Sequence, residues 1–193
     1  RPKKGEKAPV KDPTRIEKQM SMTIAEMLAD LPTQCDVGGK KNSQGNPDWW
    51  VGFKLHLDVD DHGIPLTAVL TSASLHDSQV AIPLENLTNS RVASLYSLMD
   101  AAYNSTLIED VVRVSGKVPI IDTKKPRGGE KIPLDPAKKE RFKNRTTVER
   151  TNSAIKDDFG GRFVRVRGHA KVATHLMFGV LAMTALRMVE HFT

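Results

Sequence analysis

The sequence predicts an α/β domain in which a mixed sheet carries helices on its faces. Three observations lead there. Val51, Phe53, Leu55, Leu57 and Val59 alternate strictly with Gly52, Lys54, His56, Asp58 and Asp60, the period of a strand with one face on a core. Asp61-His62-Gly63 then reads as a turn, and Ile64–Ser74 as the returning strand of a hairpin. Beyond the hairpin, short apolar strands alternate with helical patterns, as in a mixed sheet covered by helices.

Taken in order, residues 1–19 are charged, contain Pro and are weakly apolar, so they read as a flexible arm. A short helix is expected over Thr23–Leu31, ended by Pro32. Gln34–Val37 reads as a strand closed by Gly38-Gly39, which puts Asp36 at its end, and residues 40–48 as a polar loop. His76–Thr88 looks helical but is disturbed by Pro83. Arg91–Met99 is ambiguous between helix and strand. Its end, Ser97–Asp100, reads as a buried strand carrying Asp100 at its C-terminal end. Ser105–Ser115 is a helix capped by Ser105 and stopped by Gly116. Val118–Asp122 is a short buried strand, followed by a basic Pro/Gly loop over 123–137. Lys138–Phe159 reads as one helix with Val148 and Ile155 on its apolar stripe, ended by Gly160-Gly161. His169–Phe192 is a long apolar helix, expected to be buried against the sheet or a partner. The expected organisation is an arm and short helix over 1–32 and a single α/β domain over 33–193.

Length and composition fit one soluble domain: 193 residues, 39% hydrophobic and 27% charged. A single cysteine, Cys35, excludes an internal disulfide and a Cys-rich zinc site and suits a reducing cytosolic setting. The apolar run Val172–Leu186 is short for a membrane span and contains His175, so no membrane partner is expected. The chain begins at Arg1 without a Met, as a piece of a longer protein would. Its net charge of +6 is concentrated: Lys117–Lys156 holds twelve Lys or Arg against five Asp or Glu. Such a patch is the electrostatic footprint of nucleic-acid binding, against the plainer reading of a solvated basic surface.

On the expected helix 138–159, Phe142, Arg145, Glu149, Asn152 and Lys156 fall within roughly an 80° arc. One face thus presents a carboxylate flanked by two cations, an amide and a ring, which suits a divalent metal and a phosphate. Asp36 and Asp100, each at a strand end, would lie at one sheet edge if their strands were parallel neighbours. Together with Glu149 they could hold two divalent cations, the arrangement that activates an attacking oxygen and stabilises a leaving one in phosphodiester cleavage. Asp122 also ends a strand and is the competing acid.

The spacing F-x2-R-x3-E-x6-K of Phe142, Arg145, Glu149 and Lys156 resembles the Y-x2-R-x3-E-x6-K signature of DDE transposases of bacterial insertion sequences. The segments WWVGFKLHLDVDDHGIP, LTSASLHDSQ, LMDAAYNS and TTVERTNSAIKDDFGGRFVRVRGHAKV are similar to the same group, so the resemblance covers about residues 33–190. It implies a ribonuclease-H-like fold with a mixed five-stranded sheet flanked by helices. It also implies catalysis and metal ligation by Asp36, Asp100 and Glu149 around Mg²⁺ or Mn²⁺ in a two-metal site. Arg145 and Lys156 would contact DNA phosphates; Asn152, from its place on the same helix face, and Phe142, Lys124, Lys125 and Arg127 are also expected to contact DNA. The expected substrate is double-stranded DNA, as transposon ends and target, cut to a 3′ end and joined by strand transfer. The protein would assemble as a homodimer on DNA in the bacterial cytoplasm, at the nucleoid. Phe142 departs from the pattern by lacking the usual hydroxyl.

Plainer readings stand beside these. Arg145 and Glu149 form an ordinary i,i+4 pair, and Asp100 caps the helix that follows. Asp77 in His76-Asp77-Ser78 caps a helix start or holds the loop near the site, Lys54 and His56 lie on a covered or solvated face, and Trp49 and Trp50 pack at a strand end. The alternative functions are a catalytically inactive DNA-binding remnant of a transposase, or another nuclease of the ribonuclease-H type.

Overall fold

A computed structural model describes residues 12–41, 44–123 and 128–193. Its elements run α1 (Arg15–Gln19), α2 (Ile24–Asp30), β1 (Asp36–Lys41), β2 (Pro47–Val59), β3 (Pro65–Ser72), α3 (Ala81–Asn89), β4 (Tyr96–Met99), α4 (Thr106–Val114), β5 (Val118–Ile121), α5 (Pro136–Phe142), α6 (Thr146–Asp157) and α7 (His169–Phe192). The mixed α/β class is as expected. The five strands form two sheets rather than one: antiparallel β1-β2-β3 and parallel β4-β5.

Both short N-terminal helices begin with a capping box. The side chains of Thr14 and Thr23 accept from the backbone of Glu17 and Glu26, whose carboxylates return the bond. The stretch read as an arm therefore contains α1, and Gln19 at its end is fully buried, donating to the Gln79 carbonyl at 2.9 Å. Met27 of α2 and Leu31 at its C-cap enter the core beside Ile82 and Val69.

β1 runs through Gly38 and Gly39, which were expected to end it. The reason is packing. A Cβ on Gly38 would stand 2.6 Å from the Trp50 ring, and one on Gly39 2.6 Å from the Trp49 ring. The two glycines give the tryptophans of β2 a flat strand to lie across. Asp36 thus begins β1 instead of ending it, and β1 pairs antiparallel with β2, Asp36 opposite Gly52. The expected parallel neighbourhood of the Asp36 and Asp100 strands is absent from both sheets.

At the β2–β3 turn, one Asp60 carboxylate oxygen accepts from the amides of His62 at 2.9 Å and Ile64 at 2.8 Å. Gly63, at φ +80°, packs against Thr151 of α6. Pro83 falls in the first turn of α3, where a missing N–H costs nothing. The parallel pair β4-β5 is joined across α4, whose Ile108 and Val112 are buried.

The helix expected over 138–159 is two helices. α5 starts at Asp135, whose carboxylate accepts from the Lys138 amide at 2.9 Å, with Pro136 in the first turn. It ends at Phe142, and a 3-10 turn over 143–145 precedes α6. The run Asn144-Arg145-Thr146-Thr147 has weak helix propensity, and Thr146 turns its hydroxyl back to the Lys143 carbonyl. Ile155 and Thr151 are the buried residues of α6. α7 packs through Val172, Leu176 and Met183 onto Leu70 and Leu57 of the antiparallel sheet. Its other side, with Phe178, Leu181, Met188, Val189 and Phe192, is exposed, so burial reaches only part of this helix. By length and composition α7 is apolar enough to cross a membrane.

A candidate DNA-cutting cleft between the two sheets

Between the sheets lies a cleft of about 1850 Å³. One wall is β2 from Trp50 to Val59, the other is Ser94–Asp100, and α6 closes one side. No ladder joins the two sheets among the described residues, and α3 ties to each of them through paired polar side chains. Glu85 of α3 binds Lys117 at 2.9 Å with both side chains 4% exposed, and accepts from the Ser97 hydroxyl at 2.9 Å. Thr88 donates to Asp58 at 2.6 Å. Burial pushes the Asp58 carboxyl up, against the pull of that hydrogen bond.

A second polar group lines the cleft. The Lys54 ammonium donates to Asp77 at 2.9 Å and to the Leu75 carbonyl at 2.8 Å. The His56 ring shares a 2.9 Å hydrogen bond with Thr71. Burial, opposed by Asp77 and aided by Lys54, pushes the His56 imidazole down to about 4, so it is neutral near pH 7. Tyr103 lies among these acids: burial first, then the charges of Asp77, Asp100 and Asp58, push its phenol up. Asp77 is therefore no helix cap, a role His76 takes by accepting from the Ser78 amide. The period-two pattern of β2 placed Lys54 and His56 on one face but carried no sign of the partners Asp77 and Thr71.

Of the residues expected at the site, Asp100, Arg145, Glu149, Asn152 and Lys156 line this one cleft. Asp100 follows β4 and accepts from the Ala102 amide at 2.7 Å, capping a short turn as its plainer reading had it. Arg145 and Glu149 form their i,i+4 pair at 2.9 Å, and the Arg145 guanidinium also stands 5.6 Å from the Phe142 ring. Phe142 thus sits on α5, apart from the α6 face it was expected to share, yet still meets Arg145. Asp36 is not among the lining residues, although its neighbour Cys35 is. Hydrogen bonds from the Ser74 hydroxyl and the Val37 amide hold its exposed carboxyl below the usual range. The competing Asp122 is tied elsewhere, to Lys131 at 2.7 Å. Lys124, Lys125 and Arg127 lie outside the described residues.

The model of the transposase DDE domain matches residues 23–185. The chain belongs to the transposase DDE-domain family. No curated protein and no solved structure gives a significant match. Membership makes DNA cleavage in transposition the business of this DDE domain, and the family generally uses a divalent metal. Three carboxylates are hard oxygen donors of the kind Mg²⁺ prefers, so the donor chemistry fits. The placement gathers two of the three in the cleft, and no group of three His, Cys, Asp or Glu is close enough to hold a metal among the described residues.

Proposed function

We propose that this DDE domain cuts DNA at transposon ends to leave a 3′-hydroxyl and then joins that end to target DNA. Asp36, Asp100 and Glu149 are the carboxylates of this reading and would hold Mg²⁺ or Mn²⁺. The metal, when bound, would supply charge neutralisation at the phosphodiester and a more acidic bound water. The observation that carries the reading is that Asp100 and Glu149, from separate elements, line one cleft with Arg145, Asn152 and Lys156.

The chain's own side chains have definite tasks in this scheme. Lys156 and Arg145 attract the DNA phosphates. Arg145 is also the switch for Glu149: a phosphate that captures the guanidinium frees the carboxylate held at 2.9 Å. The Ala102 amide keeps the Asp100 carboxylate oriented. Asn152 adds a neutral hydrogen-bonding group to the same wall. Phe142 supplies a ring under Arg145 and no hydroxyl. Lys124, Lys125 and Arg127 would add DNA contacts in this reading. In this reading the protein works on double-stranded DNA as a homodimer in the bacterial cytoplasm, at the nucleoid.

The test is metal-dependent nicking of a transposon-end duplex by the full chain and by Glu149→Gln. Full activity in the variant would overturn the assignment. A second reading, a DNA-binding remnant without catalysis, is favoured by the placement of Asp36 outside the cleft lining. It predicts duplex binding that weakens as salt rises, with no nicking in Mg²⁺ or Mn²⁺.

A further inference from the structure

The segment that joins α6 to α7, residues 160–168, plays no part in the scheme above. Its ends are fixed. The Gly160 carbonyl accepts from the His175 ring at 2.9 Å, the Gly161 amide donates to the Ile155 carbonyl at 2.8 Å, and the Arg162 amide donates to the Lys156 carbonyl at 3.0 Å. Its middle is fixed as well: Val164 packs against the core formed by Leu70, Val172 and Leu176. With Val164 turned inward, its neighbours Phe163 and Arg165 are turned outward. Phe163 is 76% exposed. Arg165 and Arg167 are exposed, and neither is paired with a carboxylate among the described residues, whereas Arg162 is paired with Asp157. Arg162, Val164 and Arg167 line the same cleft as Asp100 and Glu149.

A pinned backbone that holds two unpaired guanidinium groups and a bare ring outward has the chemistry of a nucleic-acid grip. Cations meet phosphates, and an aromatic face meets a base of any sequence. We propose that residues 160–168 form a strap that grips DNA beside the cut. Arg165 and Arg167 pair with backbone phosphates, and Phe163 stacks on a base left unpaired at the end. The proposal rests on the DNA-cutting reading of the cleft, which supplies an end at this position.

The test uses the full chain, without divalent metal, titrated onto a blunt duplex and onto the same duplex with a short single-stranded overhang. Replacing both arginines (Arg165→Ala with Arg167→Ala) is expected to flatten the slope of log affinity against log salt by about 1.8, or about 0.9 per phosphate contact. Replacing both by Lys restores the slope. Phe163→Ala is expected to weaken overhang binding by roughly tenfold and to leave blunt binding alone. An unchanged slope in the alanine pair, or an equal loss on both DNAs for Phe163→Ala, overturns the strap. If circular dichroism shows the alanine pair unfolded, Arg165→Gln with Arg167→Gln is judged by the same slope. Because no metal is present, these readouts do not depend on cleavage. A parent chain that shows the expected slopes but no metal-dependent nicking sinks the cutting reading alone, and an unchanged slope with intact nicking sinks the strap alone.

Discussion

The guanidinium of Arg141 stands 4.2 Å from the centre of the Tyr96 ring, and so joins α5 to β4. On one side of this contact the chain leads to Glu149, and on the other to Asp100. A second tie comes from Asn144, whose amide donates to Asp61 at 3.4 Å. A cation over a ring at a partly exposed site is worth about 0.5–1 kcal/mol. A double-mutant cycle of Arg141→Ala and Tyr96→Leu is expected to return a coupling of about that size, with each single change lowering the melting temperature by about 2–4 °C. Additive effects would mean that the contact holds nothing together.

The carboxylates are separable from DNA binding. Asp100→Asn, Glu149→Gln and Asp36→Asn should each lower nicking by more than about 100-fold, or about 2.7 kcal/mol in the barrier. Duplex affinity measured without metal should stay within about threefold of the parent, since none of these changes removes a cation. If Asp36→Asn alone spares nicking, Asp36 is not the third carboxylate.

The buried pair Lys117–Glu85 sets a sharp stability test. Lys117→Met leaves the Glu85 carboxylate in a site only 4% exposed, which should cost about 3–5 kcal/mol in urea unfolding. Adding Glu85→Leu to that variant should recover a large part of the loss. A single variant as stable as the parent would show that water reaches the seam.

His56 makes stability depend on pH in one window. Its imidazole takes a proton near 4 in the folded state but near 6.5 when unfolded. The unfolded chain therefore binds more protons between these values, and stability rises with pH there. The contribution is complete above about pH 6.5 and is lost as pH falls towards 4, amounting to about 3 kcal/mol. His56→Asn, which can still bond to Thr71, should lower stability near pH 7 and flatten this slope in denaturation curves at pH 5 and 7. An unaltered slope would assign the pH dependence to other groups.

A methyl group at Gly38 tests the reading of β1. Its Cβ would fall 2.6 Å from the Trp50 ring and 2.8 Å from the Ala73 carbonyl oxygen. Gly38→Ala should destabilise by about 1–3 kcal/mol and shift the tryptophan fluorescence. Trp50→Ala in the same chain should remove the part of that penalty due to the ring and leave the part due to the Ala73 carbonyl.

Much of the fold was legible because the local signals are strong and short in range. The β2–β3 hairpin announces itself through alternation and an Asp-His-Gly turn. The helix expected from Thr23 begins there and α7 has the expected bounds, whereas Asp135, read as loop, caps α5, and Ser105 stands at the start of α4 without a side-chain cap bond. What was lost depends on partners distant in sequence. Gly38-Gly39 looks like punctuation until the rings of Trp49 and Trp50 are placed on it. A continuous helix over 138–159 follows from period alone, whereas the weak propensity of Asn144–Thr147 and the reach of Asn144 to Asp61 break it. At the site, the face of α6 was readable from spacing because Glu149, Asn152 and Lys156 share one helix, with Arg145 at its N-cap. The Asp77–Lys54 pair was not, since a strand pattern shows which way Lys54 points but not what it meets.

The seam between the sheets also dictates an order of events as the chain folds. β1–β3 pairs sequence neighbours within residues 36–72, and β4-α4-β5 closes within residues 96–121. Each unit completes its own ladder after closing only short loops, so neither has to wait for the other. Glu85 of α3 reaches Lys117 and Ser97 of the second unit, while Thr88 of the same helix reaches Asp58 of the first, so α3 is satisfied on both sides only when the two meet. Amide exchange should therefore protect the two ladders as separate cooperative blocks, with docking across the polar seam as the last step to form and the first to open.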